Sequence, residues 1–334
     1  MKPRIAISMG DPNGIGPEIS LKAFDALKDE LEVVLVGDRG AFQAHAVVLG
    51  RTIDDITLRE PGGDAGFGGI PVSFGEIESG AGRRAMEAVR TAVELCRSGE
   101  ADAMVTAPIS KEAITRAGYP FPGHTEYIAH LCGTRNELMV MVAGDLRVAL
   151  VTIHVSLRSV PPLITRDRVA ARIRQFDGSL RRDFGLSAPR IAVLGLNPHA
   201  GDGGVIGDEE QRTILPAMSE AASDGVVAEG PFPADGFFGS QSYKRFDGVL
   251  AMYHDQGLVP FKTLSFNHGA NFTAGLPIVR ISPDHGTAFD IAGKGVANAH
   301  SLIEAAREAV RIAGRRREFR ESSRQAEAAH SHSE

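Results

Sequence analysis

Short apolar runs that stop abruptly at a glycine or a polar turn recur along the whole chain, and this alternation constrains the fold more than any other feature. Residues 4–8, 33–36, 103–107, 138–143, 147–155, 191–196, 249–252 and 276–279 are such runs. They have the length and composition of buried strands. Between them lie stretches whose apolar residues recur at helical spacing, such as 83–97 and 166–184. Strands alternating with helices predict an α/β fold on a mainly parallel sheet. Ligands of such sheets gather at the carboxyl ends of strands, so the turns after the runs are where chemistry is expected.

The richest of these turns follows 249–252. Tyr253-His254-Asp255-Gln256-Gly257 comes first, then Lys262, Asn271 and Arg280, then His285-Gly286-Thr287-Ala288 and Asp290. Cation, amide, imidazole and carboxylate are thus spaced between glycines, which is the composition of a binding site. The opening turn reads GDPNGIGPE. Gly14 and Gly16 let backbone amides approach a ligand, Pro17 suits a first helical turn, and Glu18 complements the helix dipole. Ile19 stands where a dinucleotide fingerprint has its third glycine, so the turn is not that motif and reads equally as a plain strand-to-helix connection. Ser110 with Lys111 reads either as an anion holder or as a helix cap. His124 and Thr125 stand just ahead of a helix, where such a pair is usually a cap. Residues 59–82 are glycine-rich and predict a loop or short hairpin.

His154, His199 and His254 share one pattern, since each follows an apolar run and opens a polar turn. Three imidazoles brought to neighbouring strand ends hold a divalent metal with positions open for substrate. Their separation is too wide for a local metal motif, and each taken singly reads first as a satisfied core histidine.

The 334 residues suffice for two domains or one large α/β unit. A net charge of −6 and the lack of a basic aromatic stripe argue against nucleic acid as a partner. Cys96 and Cys132 form neither a disulfide framework nor a metal pair, which points to a reduced, cytoplasmic protein. The sequence shows no signal peptide and no long uncharged apolar run, so no membrane partner is expected. From Gly314 the chain is rich in Arg, Glu and Ser and reads as a frayed tail, in which His330 and His332 have no role.

The motifs GDPNGIGPEI, TAPISKEA, GHTEYIA, LNPHAGDGGVIGDEE, MYHDQGLVPFK and SPDHGTAFDIAGKGVA occur in that order. Together they resemble the 4-hydroxythreonine-4-phosphate dehydrogenase family of vitamin B6 biosynthesis, from residue 4 to about 313. GDPNGIGPE and HGTAFDIAGKGVAN also resemble the wider isocitrate and isopropylmalate dehydrogenase superfamily. The resemblance implies a two-domain α/β/α subunit with an interdomain active-site cleft. It implies a cofactor-side domain of 1–126 plus 275–334 and a metal-binding, dimerising domain of 127–274. It further implies a homodimer whose active site is shared, two metal ligands coming from one subunit and the last from its partner. The ligands fall on His154, His199 and His254, for one zinc, magnesium, manganese or cobalt ion. Substrate contacts fall on His124, Thr125, Lys262, Asn271 and Arg280, with Asp235 and Asp255 near the metal. The adenosine end of the cofactor falls on His285, Gly286, Thr287, Ala288, Asp290 and Asn298. A carboxylate such as Asp290 accepts from a ribose 2′-hydroxyl and repels a 2′-phosphate, which favours NAD over NADP.

The implied activity is NAD- and metal-dependent oxidation of 4-phosphohydroxy-L-threonine to a β-keto acid, which decarboxylates to 3-amino-2-oxopropyl phosphate. An alcohol bound to a metal loses its proton more easily, and fixed cations suit the phosphate and carboxylate of the substrate. Lys262 and Asp255 are the candidates for acid–base work, with Asp235 beside them. The chain departs from the family pattern at Asp202 and Asp208, where Glu and Arg are expected, and at Gly236, Phe272 and Ala274. These departures leave room for a sister activity, D-threonate or D-erythronate 4-phosphate dehydrogenase of sugar-acid catabolism; another relative oxidises an aromatic cis-dihydrodiol. A metal-dependent hydrolase or lyase would not need the GTAFDIAG turn. A silent phosphometabolite-binding module would not need the three histidines.

Overall fold

The computed structural model describes residues 2–62, 71–265 and 269–331. Part of the loop expected over 59–82 therefore lies outside the described residues, as does His332. The strands, in chain order, begin with β1 (Arg4–Ser8), β2 (Glu32–Val36), β3 (Thr57–Arg59), β4 (Ala103–Thr106), β5 (Leu138–Ala143) and β6 (Leu146–Leu150). They continue with β7 (Arg190–Leu194), β8 (Val227–Phe232), β9 (Gly248–Ala251), β10 (Ala270–Ala274) and β11 (Arg280–Pro283). Helices lie between most of them, so the expected α/β class is present.

The chain divides into two compact units, Met1–Glu137 with Leu276–Ala313, and Leu138–Gly275 with Gly314–Glu334. In the first, the strands run β3-β2-β1-β4-β11, all parallel. Ile5, Ala6 and Ile7 of β1 are wholly buried, as a strand covered on both faces must be. In the second, the order is β10-β5-β6-β9-β7-β8. Here β5 pairs antiparallel with β10 and β6, while β6-β9-β7-β8 are parallel. Its core gathers Met141, Val148, Leu150, Ala192, Leu194, Phe237, Val249 and Phe261.

Three expectations change. The apolar run 276–279 is a connection rather than a strand. Pro277 can give no N–H to a ladder, and β11 opens at Arg280, which pairs with Met104. The run 147–155 forms a strand only as far as Leu150, so His154 lies beyond the strand in the chain that follows it. Finally, the tail after Gly314 is not frayed, because one helix runs from His300 to Ser331. Arg316, only 4 % exposed, anchors it by donating to Asp183 at 2.5 Å. An Arg315–Glu318 pair adds local support along the helix.

Candidate active site

In the second unit, β6, β9 and β7 are consecutive parallel neighbours, with Leu150 opposite Ala251 and Val193 opposite Leu250. Their carboxyl ends therefore lie side by side, each about 4.8 Å from the next. The chain leaving those ends carries His154, His254 and His199 in turn. His254 opens the helix His254–Ser265 directly. Its ring lies 5.8 Å from that of His154 between centroids, at 41°. Two imidazoles on one ion, each nitrogen at about 2.0–2.1 Å, have centroids roughly 5–6 Å apart, so the pair fits a shared metal. Asp255 Oδ1 lies 2.8 Å from His254 Nδ1, which leaves Nε2 as the nitrogen for an ion. Among the described residues, no three His, Cys, Asp or Glu side chains are grouped closely enough to hold a metal alone. Within one chain two of the expected ligands come together, and His199 does not join them.

His199 sits in a turn of unusual shape. His199, Ala200, Gly201, Asp202 and Gly203 all have positive φ, at 53°, 52°, 81°, 44° and 65°. Left-handed backbone costs an L residue roughly 1–2 kcal/mol, and three of the five carry a Cβ. The short helix Ala234–Gly239, which carries Asp235 in its first turn, packs against this turn. Asp255 and Lys262 stand seven positions apart on one helix, hence on one face and about 10 Å apart along it. Asn271 on β10 has a buried Oδ1 with no hydrogen-bond partner among the described residues. Phe272 points to the opposite face, edge-on to Phe184 at 5.8 Å and beneath Arg316 at 5.9 Å. The departure at Phe272 is thus a matter of core packing, remote from the face that Asn271 presents.

In the first unit, Arg280 is fully buried at the head of β11. Its Nε and Nη2 donate to Thr106 Oγ1 at 3.1 and 2.7 Å, and Nη1 donates to Thr125 Oγ1 at 3.2 Å. Burial lowers its pKa from 12.5 to about 10, against a small opposing effect of Glu126. His124 opens the helix His124–Leu131, whose N-cap is Gly123, so the His-Thr pair is not a cap. Its Nε2 is buried without a partner among the described residues. Burial holds its pKa well below the usual histidine range, and Arg280 and Lys111 push in the same direction. An imidazole nitrogen without a partner and a buried guanidinium are groups that can bind an anion. Ser110 resolves as a cap, accepting from Ala113 N at 3.1 Å.

The turn carrying His285, Gly286, Thr287 and Ala288 follows β11 and packs against the opening turn. Ile15 N donates to Thr287 O at 3.0 Å, and a Cβ on Gly14 would lie 2.8 Å from the same oxygen. Glycine is therefore required there by contact. His285 Nε2 is a further buried nitrogen without a partner among the described residues. Asp290 is exposed in the short turn Phe289–Ile291. Asn298 Oδ1 accepts from His300 N at 2.9 Å and caps the C-terminal helix.

Residues 29–309 match the family described as pyridoxal phosphate biosynthetic protein PdxA. The chain belongs to the PdxA family. A 4-hydroxythreonine-4-phosphate dehydrogenase of Prosthecochloris aestuarii is 49 % identical, with 92 % of this chain and 96 % of the relative covered. A protein of Bradyrhizobium diazoefficiens provisionally named D-threonate 4-phosphate dehydrogenase is 42 % identical over 92 % and 96 % of the two chains. The crystal structure of 4-hydroxythreonine-4-phosphate dehydrogenase from Klebsiella pneumoniae superposes with a TM-score of 0.83 at 39 % identity, covering 94 % of this chain and all of the other. This PdxA-family chain is accordingly an oxidoreductase. Among its described residues no helix is long and apolar enough to cross a membrane.

Some supporting residues gave no signal in the sequence. Thr106, within an apolar run, turns out to hold the guanidinium of Arg280. Glu18, read as a dipole partner, instead accepts from Ala297 N and Lys22 Nζ, both at 2.8 Å. Lys22 also donates to the carbonyls of Gly295 and Ala297 at 3.0 and 2.7 Å. Together they fasten the glycine segment ahead of Asn298, and only a contact across 273 to 279 positions of sequence reveals it.

Proposed function

We propose that this protein is a cytoplasmic, homodimeric dehydrogenase that oxidises 4-phosphohydroxy-L-threonine with NAD and one divalent metal ion (zinc, magnesium, manganese or cobalt) per site. The β-keto acid formed loses carbon dioxide to give 3-amino-2-oxopropyl phosphate. The observation that carries the substrate class is the buried Arg280 beside Thr125 and the unpartnered Nε2 of His124. A buried guanidinium held by hydroxyls is costly in the free protein and favourable once a phosphate sits against it. Asn271 Oδ1, also buried and unpartnered, suits a donor on the substrate, and Lys262 adds a second cation. The names of the curated relatives support the same substrate.

His154 and His254, with His199 from a second copy, are the residues to hold the metal, which supplies a Lewis acid for the substrate alcohol. NAD, when bound, accepts the hydride. Asp255 orients His254 through its Nδ1, so Lys262 is left as the group to take the alcohol proton. Asp235, in the short helix packed against the turn of His199, would lie near the metal. His285, Gly286, Thr287, Ala288, Asp290 and Asn298 are read as the surface for the adenosine end of NAD. A second copy is supported by apolar residues left exposed near each histidine: Leu157 is 70 %, Val205 84 % and Val259 61 % exposed.

The relative named for D-threonate 4-phosphate favours a second reading, the same oxidation on a phosphorylated sugar acid. Purified protein with NAD and metal should be given both phosphates, their dephosphorylated forms and a cis-dihydrodiol, following the reduced cofactor by absorbance. Phosphohydroxythreonine should give the highest kcat/KM, by at least about tenfold over any unphosphorylated compound. A lead for D-threonate 4-phosphate would move the enzyme to the second reading. Equal rates with and without the phosphate would overturn both.

A further inference from the structure

We propose that the buried carboxylate of Glu210, together with the carboxamide of Gln256, positions the metal ligand His199; the proposal rests on the metal-site reading above. The turn from His199 to Gly203 is left-handed throughout, and His199, Ala200 and Asp202 have no local reason to adopt that conformation. Something outside the turn must impose it.

Glu210 is placed to do so. It is 2 % exposed, and its Oε1 accepts from the peptide N–H groups of Leu196 and Asn197 at 2.7 and 2.8 Å. Its Oε2 accepts from Asn197 Nδ2 at 3.0 Å, and that nitrogen also donates to Glu209 Oε2 at 2.7 Å. These bonds fix the two peptides that lead into His199. The carboxylate also fills the inside of the turn, since a Cβ on Gly201 would lie 2.6 Å from Glu210 Oε2. Three N–H donors converging on one buried side chain are strong enough to hold a disfavoured backbone.

Gln256 adds a tie between the strand ends that carry two of the ligands, which serve the two different sites of the proposed dimer. It stands two positions after His254, accepts from Met252 N at 2.7 Å and donates to Gly195 O at 2.6 Å. One side chain thus ties the end of β9, which delivers His254, to the end of β7, which delivers His199. Neither residue is placed on the substrate, so both act through the histidines.

The test uses full-length Glu210→Ala, Glu210→Gln, Gln256→Ala and His199→Ala beside the wild type. Zinc affinity is measured by competition with a chromogenic chelator, at a temperature where circular dichroism shows each protein folded. Glu210→Ala and Gln256→Ala should weaken zinc binding by roughly 10–100-fold, the range for residues that orient ligands. Glu210→Gln should lose less, because its amide oxygen still accepts both peptide N–H groups. The kcat of the weakened variants should return at high zinc, which a merely unstable protein would not show. Wild-type zinc affinity in folded Glu210→Ala, or in Gln256→Ala should the first not fold, overturns the proposal. Wild-type affinity in His199→Ala sinks the metal-site reading itself, and this proposal with it.

Discussion

Replacing Arg280 by Met separates a residue kept for binding from one kept for folding. Holding this guanidinium charged inside the protein carries a cost, since burial pulls its pKa from 12.5 to about 10. That difference corresponds to roughly 3 kcal/mol. Against it stand the bonds to Thr106 Oγ1 and Thr125 Oγ1, each about 1 kcal/mol net. Met fills much of the same volume without a charge. The two effects nearly cancel, so the stability of the ligand-free variant in urea should lie within about 1 kcal/mol of the wild type. A buried arginine that served the fold alone would cost about 3–5 kcal/mol on truncation. The phosphorylated substrate should behave differently, losing one or two charge-assisted contacts and thus roughly tenfold to more than a hundredfold in kcat/KM. Inorganic phosphate should raise the melting temperature of the wild type and not of the variant. A variant destabilised by more than about 3 kcal/mol that still uses the phosphorylated substrate normally would refute the reasoning.

Asp183→Asn should destabilise by about 3 kcal/mol at neutral pH, because it leaves the buried Arg316 without its carboxylate. Burial alone would push this carboxyl up, but Arg182 and Arg316 outweigh it and hold the pKa below the usual range. The stabilisation is therefore complete above the unfolded value near 3.9 and is lost as pH falls through the folded one, so the two proteins' melting temperatures should converge in acid. Burial lowers the Arg316 pKa as well, which marks the pair as costly to break yet modest in net worth. Asp290→Ala should narrow the preference for NAD over NADP by roughly tenfold in kcat/KM, and equal use of both by the wild type would show that Asp290 does not read the ribose.

How far the sequence could be read depended on whether a feature was local. The helix Arg166–Phe184 was legible to the residue, since its period is written in its own side chains. The placement of His154, His199 and His254 in the chain leaving three adjacent parallel strands was legible as a pattern, because strand ends repeat one grammar. Strand β8 was not, as Glu229, Gly230 and Pro231 interrupt any apolar run. The burial of Arg280, a residue the motifs had named, and of Arg316 in an arginine-rich tail was also hidden. A buried arginine looks like a surface one until its partner arrives from far along the chain. The left-handed turn at His199 escaped for a similar reason. Gly201 and Gly203 advertise it, but the residues that enforce it on His199, Ala200 and Asp202 lie elsewhere.

The pairing of His154 with His254 in one chain sharpens how a shared metal site should be divided. The resemblance implied two ligands, His154 and His199, from one subunit and the last, His254, from its partner. Rings 5.8 Å apart favour a different division, proposed above, in which His154 and His254 act together and His199 comes from the second copy. Two mixing experiments decide it. When inactive His199→Ala and His254→Ala subunits exchange freely, half the dimers are mixed. Each mixed dimer has one site with intact His154 and His254 from one subunit and His199 from the other. About a quarter of wild-type activity should return. Mixing His154→Ala with His254→Ala should return nothing, because no single subunit then carries both paired histidines. A division placing His154 with His199 predicts recovery in both mixtures, so activity in the second mixture would overturn the assignment of His199 to the partner. No recovery in either, after exchange is verified, would mean that the site is not built from two copies at all.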